Sequence, residues 1–449
     1  MKRINRTQRH VTFTILMLLV WKVNAQKSDT TNDEQFSFHF QTTVINQYKP
    51  SFYAKYSGDN SLSNSEEDQT TITSTLFAGA RLWKGASFFF NPELSGGAGL
   101  SNALGVAAST NGESYRVGNP KPHITAARYF YRQMFYKKNS ETEYQSSNAN
   151  SLAGNSPTEY FDIIIGKVSV PDYFDDNKFS HDPRTQFMSW GLMSNGAWDV
   201  PSNVYGYCPS IVMDKVNEKY ELHYAFSLIP IQINGPVIDW HVAKANSQTL
   251  EYARKYKFKS QPGAFRLMSF FTTTHMGNYQ EALQAMALQG NDNPPDIALN
   301  REYGRTKYGF GANMEQNISN SLGCFVRASW NDGHNEDWMY SEIDLTLSAG
   351  LAENMGNAGR KDDNAGVAFV VSGISKTHRE YLEAGGNGFL LGDGKLNYMP
   401  EQLAEIYYSA SLIKGKMYVS GFYQFILNPG YNMDRGPVNV FSVRVHTEL

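Results

Sequence analysis

Cysteines and long apolar stretches are both scarce in this chain of 449 residues, which has only two cysteines, Cys208 and Cys324. Two such distant cysteines cannot provide the disulfide scaffold of a small secreted domain. We expect both to be unpaired apolar side chains. After the first residues, no apolar run reaches the length of about 18 residues that a transmembrane helix needs, which excludes a membrane protein built from helices.

The sequence also lacks the motifs of common enzymes and metal proteins. It contains no GxSxG, HExxH, CxxC or GxxxxGK[ST] pattern. Gly309 and Gly311 begin a dinucleotide-binding fingerprint, but Met314 occupies the place of its third glycine. The acidic residues at 172, 175 and 176 do not have the spacing of a calcium-binding loop, and an exposed loop is the favoured interpretation. We predict no enzyme activity, no cofactor and no metal.

The first residues have the pattern of a secretory signal peptide. Basic residues precede an apolar run at 11–21, and Val23, Asn24 and Ala25 offer a cleavage site. We expect a signal peptide at 1–25 and one mature domain at 26–449. Without the five basic residues of that leader, the 40 Lys+Arg fall to 35 against 43 Asp+Glu. Since phosphate recognition needs a basic surface, nucleic acid is not an expected partner.

What the chain does contain is aromatic residues and glycine on a polar background. It has 27 Tyr, 27 Phe and 37 Gly, yet its mean hydropathy is −0.45. In the segment 322–331, Cys324, Val326 and Trp330 alternate with polar residues such as Arg327 and Ser329. Period-two alternation of this kind, in an exported and aromatic-rich chain, is typical of a transmembrane β-barrel with one face in lipid and one in water.

Seventeen segments alternate in this way: 36–48, 70–82, 86–94, 125–135, 160–168, 204–213, 219–228, 237–243, 250–258, 263–273, 307–316, 322–331, 340–351, 366–374, 403–413, 416–425 and 438–447. Because bacterial single-chain barrels have even strand numbers, we predict an antiparallel barrel of 16 strands, with 18 as the alternative. A soluble β-sandwich also alternates and stays open as an alternative fold.

The segments between these strands predict long loops. The segment 139–157 is a polar, exposed loop, and short helices are expected at 279–286 and within 376–386. The irregular segment 172–203 is long enough either to lie outside the barrel or to fold inward and narrow the pore.

Three arginines and a glutamate are the candidate pore residues. Arg128 and Arg132 lie on the face opposite Tyr129 and Tyr131, so both point into the lumen, and Arg116 precedes them. A guanidinium presents a rigid fork of donors that matches neighbouring hydroxyl groups. Together with an acid such as Glu113, these arginines would form a polar constriction, although a structural role in the lumen wall is an equal alternative.

At these residues the chain resembles the carbohydrate-selective porin family (OprB-like). The similar blocks are NGESYRVG at 111–118, ARYFYRQ at 127–133, GKV at 166–168, DYFDDNKF at 172–179, DPRTQFM at 182–188, NGAWD at 195–199 and NPGYNMDRGP at 428–437. The resemblance implies a 16-stranded barrel whose constriction favours monosaccharides. It also implies that Asp175, Asp176, Arg184 and Trp190 line the pore. The chain ends in Leu449 where such barrels usually end in an aromatic residue.

The sequence therefore predicts a porin of the Gram-negative outer membrane for small hydrophilic solutes, with monosaccharides preferred. Its expected partners are small sugars, outer-membrane lipid and lipopolysaccharide, and the barrel assembly machinery through the C-terminal strand. Three alternatives stay open: a general non-selective porin, an outer-membrane barrel hydrolase, and a soluble periplasmic glycan-binding protein.

Overall fold

The structure, a computed structural model, describes residues 33–114, 120–290 and 292–449. Its main element is a closed antiparallel β-barrel of 16 strands, the predicted number, beside a separate two-stranded sheet. The strands are β1 (Phe36–Lys49), β2 (Glu67–Trp83), β3 (Ala86–Gly96), β4 (His123–Phe135), β5 (Thr142–Gln145), β6 (Gly154–Pro157), β7 (Tyr160–Val168), β8 (Cys208–Val216), β9 (Tyr220–Leu228), β10 (Asn246–Phe258), β11 (Gln261–Thr274), β12 (Arg305–Asn317), β13 (Leu322–Asn331), β14 (Leu345–Asn354), β15 (Asn364–Gly373), β16 (Glu401–Ile413), β17 (Met417–Leu427) and β18 (Val438–Glu448). All except β5 and β6 belong to the barrel.

The barrel closes where β1 pairs with β18. Val44 of β1 lies opposite Ile72 of β2 and Val445 of β18. A closed ring leaves no strand edge with unpaired backbone groups in lipid. The predicted alternation of faces is confirmed: in β13, Val326 and Trp330 are exposed on the outer face, while Arg327 is buried on the inner face.

One of the seventeen predicted strands is wrong. The segment 237–243 lies in the connection between β9 and β10. There the backbone N–H of His241 donates a hydrogen bond to Asp239 Oδ1, and the bridge between Pro230 and Ile238 is isolated. An aspartate that accepts a hydrogen bond from the backbone two residues on stabilises a turn. The apolar pattern of this segment therefore does not reflect a strand.

The two ends of the barrel differ in the length of their connections. At one end the strands are joined by residues 84–85, 136–159, 217–219, 259–260, 318–321, 355–363 and 414–416. At the other end they are joined by 50–66, 97–122, 169–207, 229–245, 275–304, 332–344, 374–400 and 428–437. Because outer-membrane barrels have short periplasmic turns and long outer loops, we name the first end periplasmic and the second extracellular.

Among the described residues of the extracellular loops there are three α-helices: α1 (Trp190–Met193), α2 (Tyr279–Leu288) and α3 (Lys376–Glu383). The helices expected near 279–286 and within 376–386 are thus confirmed. The expected exposed loop at 139–157 instead contains the β5–β6 hairpin. Within the described residues, none of the helices has both the length and the apolar character to cross a bilayer.

The connection 169–207, named the inner loop below, folds into the barrel, which is one of the two placements expected for the segment 172–203. Phe187 of this loop packs against Phe325 of β13 and Tyr407 of β16, with ring centroids 5.7 and 4.9 Å apart. Met188 and Leu192 belong to the same buried cluster. The inner face of the wall is therefore apolar at Phe325 and Tyr407, where Phe187 packs against it.

Candidate functional site

Asp175 holds the inner loop against the barrel wall. Its carboxylate accepts hydrogen bonds from Arg327 Nε at 3.0 Å and from Asn313 Nδ2 at 2.6 Å, both on the wall. The backbone N–H of Asn195, further along the loop, donates to the same carboxylate at 2.6 Å. Asp175 is 1% exposed and Arg327 is fully buried. This buried ion pair fixes the depth at which the loop crosses the lumen.

Two glutamates of β16 bind backbone N–H groups of the inner loop and of the connection 97–122. Glu405 accepts the backbone N–H groups of Met188 and Ser189 at 2.7 and 3.0 Å. Glu401 accepts the N–H groups of Ala107 and Ala108, in the connection 97–122, at 2.9 and 2.8 Å. Both extracellular connections are therefore bound to the inside of the barrel.

Between these loops and the wall lies a chain of charged and polar groups that starts at Arg128. The guanidinium of Arg128 donates two parallel hydrogen bonds to Asp172, at 2.7 and 2.8 Å. It also lies over the ring of Tyr207, 4.9 Å from the centroid. The hydroxyl of Tyr207 donates to both carboxylate oxygens of Glu93, at 2.9 and 3.0 Å. Burial and the Glu93 carboxylate raise the pKa of Tyr207, so its hydroxyl remains a donor.

The chain continues through Arg184 of the inner loop. Arg184 Nε donates to Glu113 Oε2 at 3.0 Å, and its Nη2 lies 3.4 Å from Glu93 Oε2. Burial alone would lower the pKa of Arg184. The carboxylates of Glu113 and Glu93 together raise it by more, so the pKa lies well above the ordinary value. This guanidinium is a permanent charge. We name the set Arg128, Asp172, Tyr207, Glu93, Arg184 and Glu113 the charged wall.

Arg132 lies next to the charged wall, nearer the periplasmic end of β4. It donates to Asp162 of β7, whose side chain is fully buried, whereas the Arg132 side chain is 26% exposed. The Arg132 side chain is therefore in part accessible to solvent.

The structure brings together only part of the predicted set of pore residues. Arg128, Arg184 and Glu113 belong to the charged wall, and Arg132 lies beside it. Asp176 is on the lumen side with its side chain 67% exposed and 3.3 Å from Arg266. Asp175 and Trp190 are buried instead; the Trp190 ring stacks on Tyr340 at 4.3 Å. Arg116 lies outside the described residues.

Sequence reasoning missed Glu93 and Tyr207, and named Asp172 only in a disfavoured calcium-binding cluster and in the family block 172–179. Glu93 is buried on the inner face of β3, whereas Phe88 and Phe90 are exposed on the outer face of the same strand. An acidic residue at a lumen-facing position of a predicted strand is the signal that would have found it. The acids at 172, 175 and 176 do not converge, because each pairs with a different arginine.

A second cluster of ionisable groups lies at the extracellular end. Asp337, Asp344 and His378 place ligand atoms within 4.8 Å of one another. Lys307 Nζ lies 2.6 Å from Asp337 Oδ1 and 3.8 Å from Asp344 Oδ1. Because this ammonium supplies the positive charge between the two carboxylates, the cluster is a buried salt-bridge network that joins two extracellular loops, 332–344 and 374–400, to β12.

Two solved structures with a similar fold are distant from this chain in sequence. Pseudomonas putida OprB at high pH superposes with a TM-score of 0.69 at 14% identity, covering 92% of this chain and 94% of that one. The outer membrane channel DcaP of Acinetobacter baumannii has a TM-score of 0.51 at 10% identity, covering 95% and 100%. At these identities the likeness shows the fold alone. No curated protein sequence matches this chain.

A family model gives the assignment that the distant structures cannot. The model described as carbohydrate-selective porin, OprB family, matches residues 59–449, which includes the whole charged wall and every barrel strand from β2 to β18. The chain belongs to the OprB family of carbohydrate-selective porins.

Proposed function

We propose that this protein is a passive porin of the Gram-negative outer membrane that admits small hydrophilic solutes and prefers monosaccharides. The observation that carries the proposal is the charged wall, which places arginine donors and carboxylate acceptors side by side inside a closed barrel. Family membership and the 16-stranded barrel support the same function. Barrels of this strand number leave room for an aqueous channel.

The chemistry of the charged wall suits a neutral polyol better than an ion. Arg128 and Arg184 offer several N–H donors, and Glu93, Glu113 and Asp172 offer acceptors, so neighbouring hydroxyl groups find partners of both kinds. Because the two signs of charge alternate along the wall, an ion is attracted by some groups and repelled by others. A monosaccharide forms hydrogen bonds along the wall without separating a pair of charges.

The same proposal assigns the remaining roles. The protein performs no chemistry of its own, and its partners are small sugars, the surrounding lipid and lipopolysaccharide, and the barrel assembly machinery, which would recognise β18. A barrel hydrolase acting on lipid would need a Ser–His pair on the lipid-facing side. It is less well supported, because His223 and His446 are buried on the inner face.

Liposome swelling tests the proposal. Vesicles containing the purified protein are diluted into isotonic glucose, a disaccharide and a neutral amino acid, and the initial swelling rates are compared. We expect glucose to enter faster than the amino acid of smaller size, and the disaccharide to enter slowest. Rates that depend on solute size alone would leave a general porin and refute the sugar preference.

A further inference from the structure

The periplasmic connection between β4 and β7 is unlike its neighbours at that end of the barrel. It spans residues 136–159 and contains the β5–β6 hairpin, in which Thr142 pairs with Pro157. The adjacent connection at 84–85 is a tight turn. A connection that only had to reverse the chain would not need a hairpin of its own.

The hairpin is bound to the inner side of the barrel rim. Ser147 Oγ lies 2.8 Å from Nε2 of His39, on β1. The backbone carbonyl of Ala153 accepts a hydrogen bond from Arg81 Nη2, on β2, at 3.0 Å. The backbone N–H of Ala153 donates to Glu34 Oε2 at 2.7 Å. His39 and Arg81 occupy lumen-facing positions at the periplasmic ends of their strands. From β4 to β1 the hairpin therefore crosses three strand spacings, or about 14 Å.

Apolar contacts place the hairpin beneath the lumen rather than beside the barrel. Leu152 packs against the buried cluster that contains Phe89, Phe130 and Ile164. These three side chains are on the inner faces of β3, β4 and β7. Ala153 is 2% exposed. The tip of the hairpin is thus inserted into the periplasmic mouth.

The two sides of that mouth differ. On the side of β12 to β16 it opens into a cavity of about 1080 Å³ lined by Lys178, Gln186 and Glu353. On the side of β1 to β7 the hairpin contacts the inner rim of the barrel. Arg132 and Asp162 lie near the periplasmic ends of β4 and β7, the two strands that the hairpin joins. A solute that leaves the charged wall on this side meets the hairpin next.

We propose that the hairpin 136–159 forms a second constriction, at the periplasmic outlet, and that it limits the size of solute that passes. This inference rests on the proposed porin function, since it assigns a further size-determining element to the same path. Ser147 and Leu152 are the hairpin residues that contact the inner face of the barrel.

Chemical modification of single cysteines tests the position of the hairpin. Ser147→Cys and, as a matched control on the exposed part of the same hairpin, Glu143→Cys are each treated with a charged methanethiosulfonate reagent in planar bilayers. The native Cys208 is buried and Cys324 is on the outer face, so wild-type protein gives the background. We expect modification to lower the ion conductance of Ser147→Cys by about half and to leave Glu143→Cys unchanged. Equal behaviour of the two variants overturns the proposal.

Removal of the hairpin tests its effect on size. A variant in which a short Gly-Ser linker replaces residues 139–157 should show about twofold higher conductance, with a larger ratio of disaccharide to glucose swelling. If the deletion variant does not fold, Arg81→Ala serves in its place, because it loosens the hairpin without shortening the chain. Arg81→Ala should change the conductance and the swelling ratio in the same direction as the deletion. Unchanged conductance in folded protein refutes the second constriction, whereas a wild-type pore without sugar preference refutes the proposed function alone.

Discussion

At the scale of single residues, Arg128 is a buried charge whose hydrogen-bond donors are held in a fixed orientation inside the barrel. Its two bonds to Asp172 and its position over Tyr207 hold the guanidinium in one orientation. A charged pair with such fork geometry is stronger and more specific in direction than a single hydrogen bond. We therefore treat Arg128 as a pre-positioned sugar donor.

Arg128→Ala should weaken sugar binding without unfolding the barrel. Loss of one charge-assisted hydrogen bond costs about 1.5 kcal/mol, so the glucose concentration that half-blocks the ion current should rise about tenfold. Arg128→Lys is the matched control, because it keeps the charge and loses the fork; we expect an intermediate value. Wild-type glucose block in both variants would remove Arg128 from the sugar path.

Arg184 and Glu113 make a pair whose removal should have opposite electrical effects. Arg184→Ala leaves Glu93 and Glu113 uncompensated, so the lumen becomes more negative and should prefer potassium over chloride more strongly. Glu113→Gln should shift the preference towards chloride. The reversal potential in a potassium chloride gradient measures both. Shifts of the same sign, or none, would place this pair away from the ion path.

The sequence could predict which residues face the lumen but not which of them meet. The phase of the alternation in β4 was enough to place Arg128 and Arg132 inside. Their partners are far along the chain, since Asp172 is 44 positions from Arg128 and Tyr207 is 79. Those contacts depend on how deeply the inner loop enters, which is decided by tertiary packing.

At the scale of elements, the inner loop depends on the buried pair of Asp175 and Arg327. Removing one partner of such a pair leaves an uncompensated charge, at a cost of about 3–5 kcal/mol. Asp175→Ala should therefore release the loop from the wall, raise the conductance and its noise, and expose the loop to protease, while the barrel remains folded.

Asp176→Ala is the matched control for that variant. Asp176 follows directly in the chain, but its side chain is 67% exposed and has a single pair with Arg266. Exposed pairs contribute little, about 0–1 kcal/mol. Wild-type conductance is expected for this variant, and an equal disturbance by both substitutions would show that the loop is not held by Asp175.

Strands were easier to predict from the sequence than loops, for a physical reason. A barrel strand has one face in lipid and one face in water. Each side chain has to suit one of these two environments, so apolar and polar residues alternate along the sequence of the strand. The loop segment 237–243 alternates without this constraint, with Val237 and Trp240 exposed. The hairpin at 136–159 has strands too short and polar to show a pattern, and it was missed.

At the scale of the whole molecule, the closed ring predicts unusual resistance to unfolding in detergent. Every barrel strand is paired on both sides, so no edge offers a starting point for unfolding. Unheated protein in SDS should migrate differently from boiled protein on a gel. Identical mobility before and after boiling, together with solubility in the absence of detergent, would contradict a transmembrane barrel.

Sugar titration of the ion current through single channels in planar bilayers tests the central claim most directly, because one recording reports both an open pore and binding inside it. The account predicts a steady current that glucose reduces in a saturable way, with a weaker effect of a disaccharide and a much weaker glucose effect in Arg128→Ala. The absence of current, or a reduction that follows only the viscosity of the solution and is equal for both sugars, would contradict it.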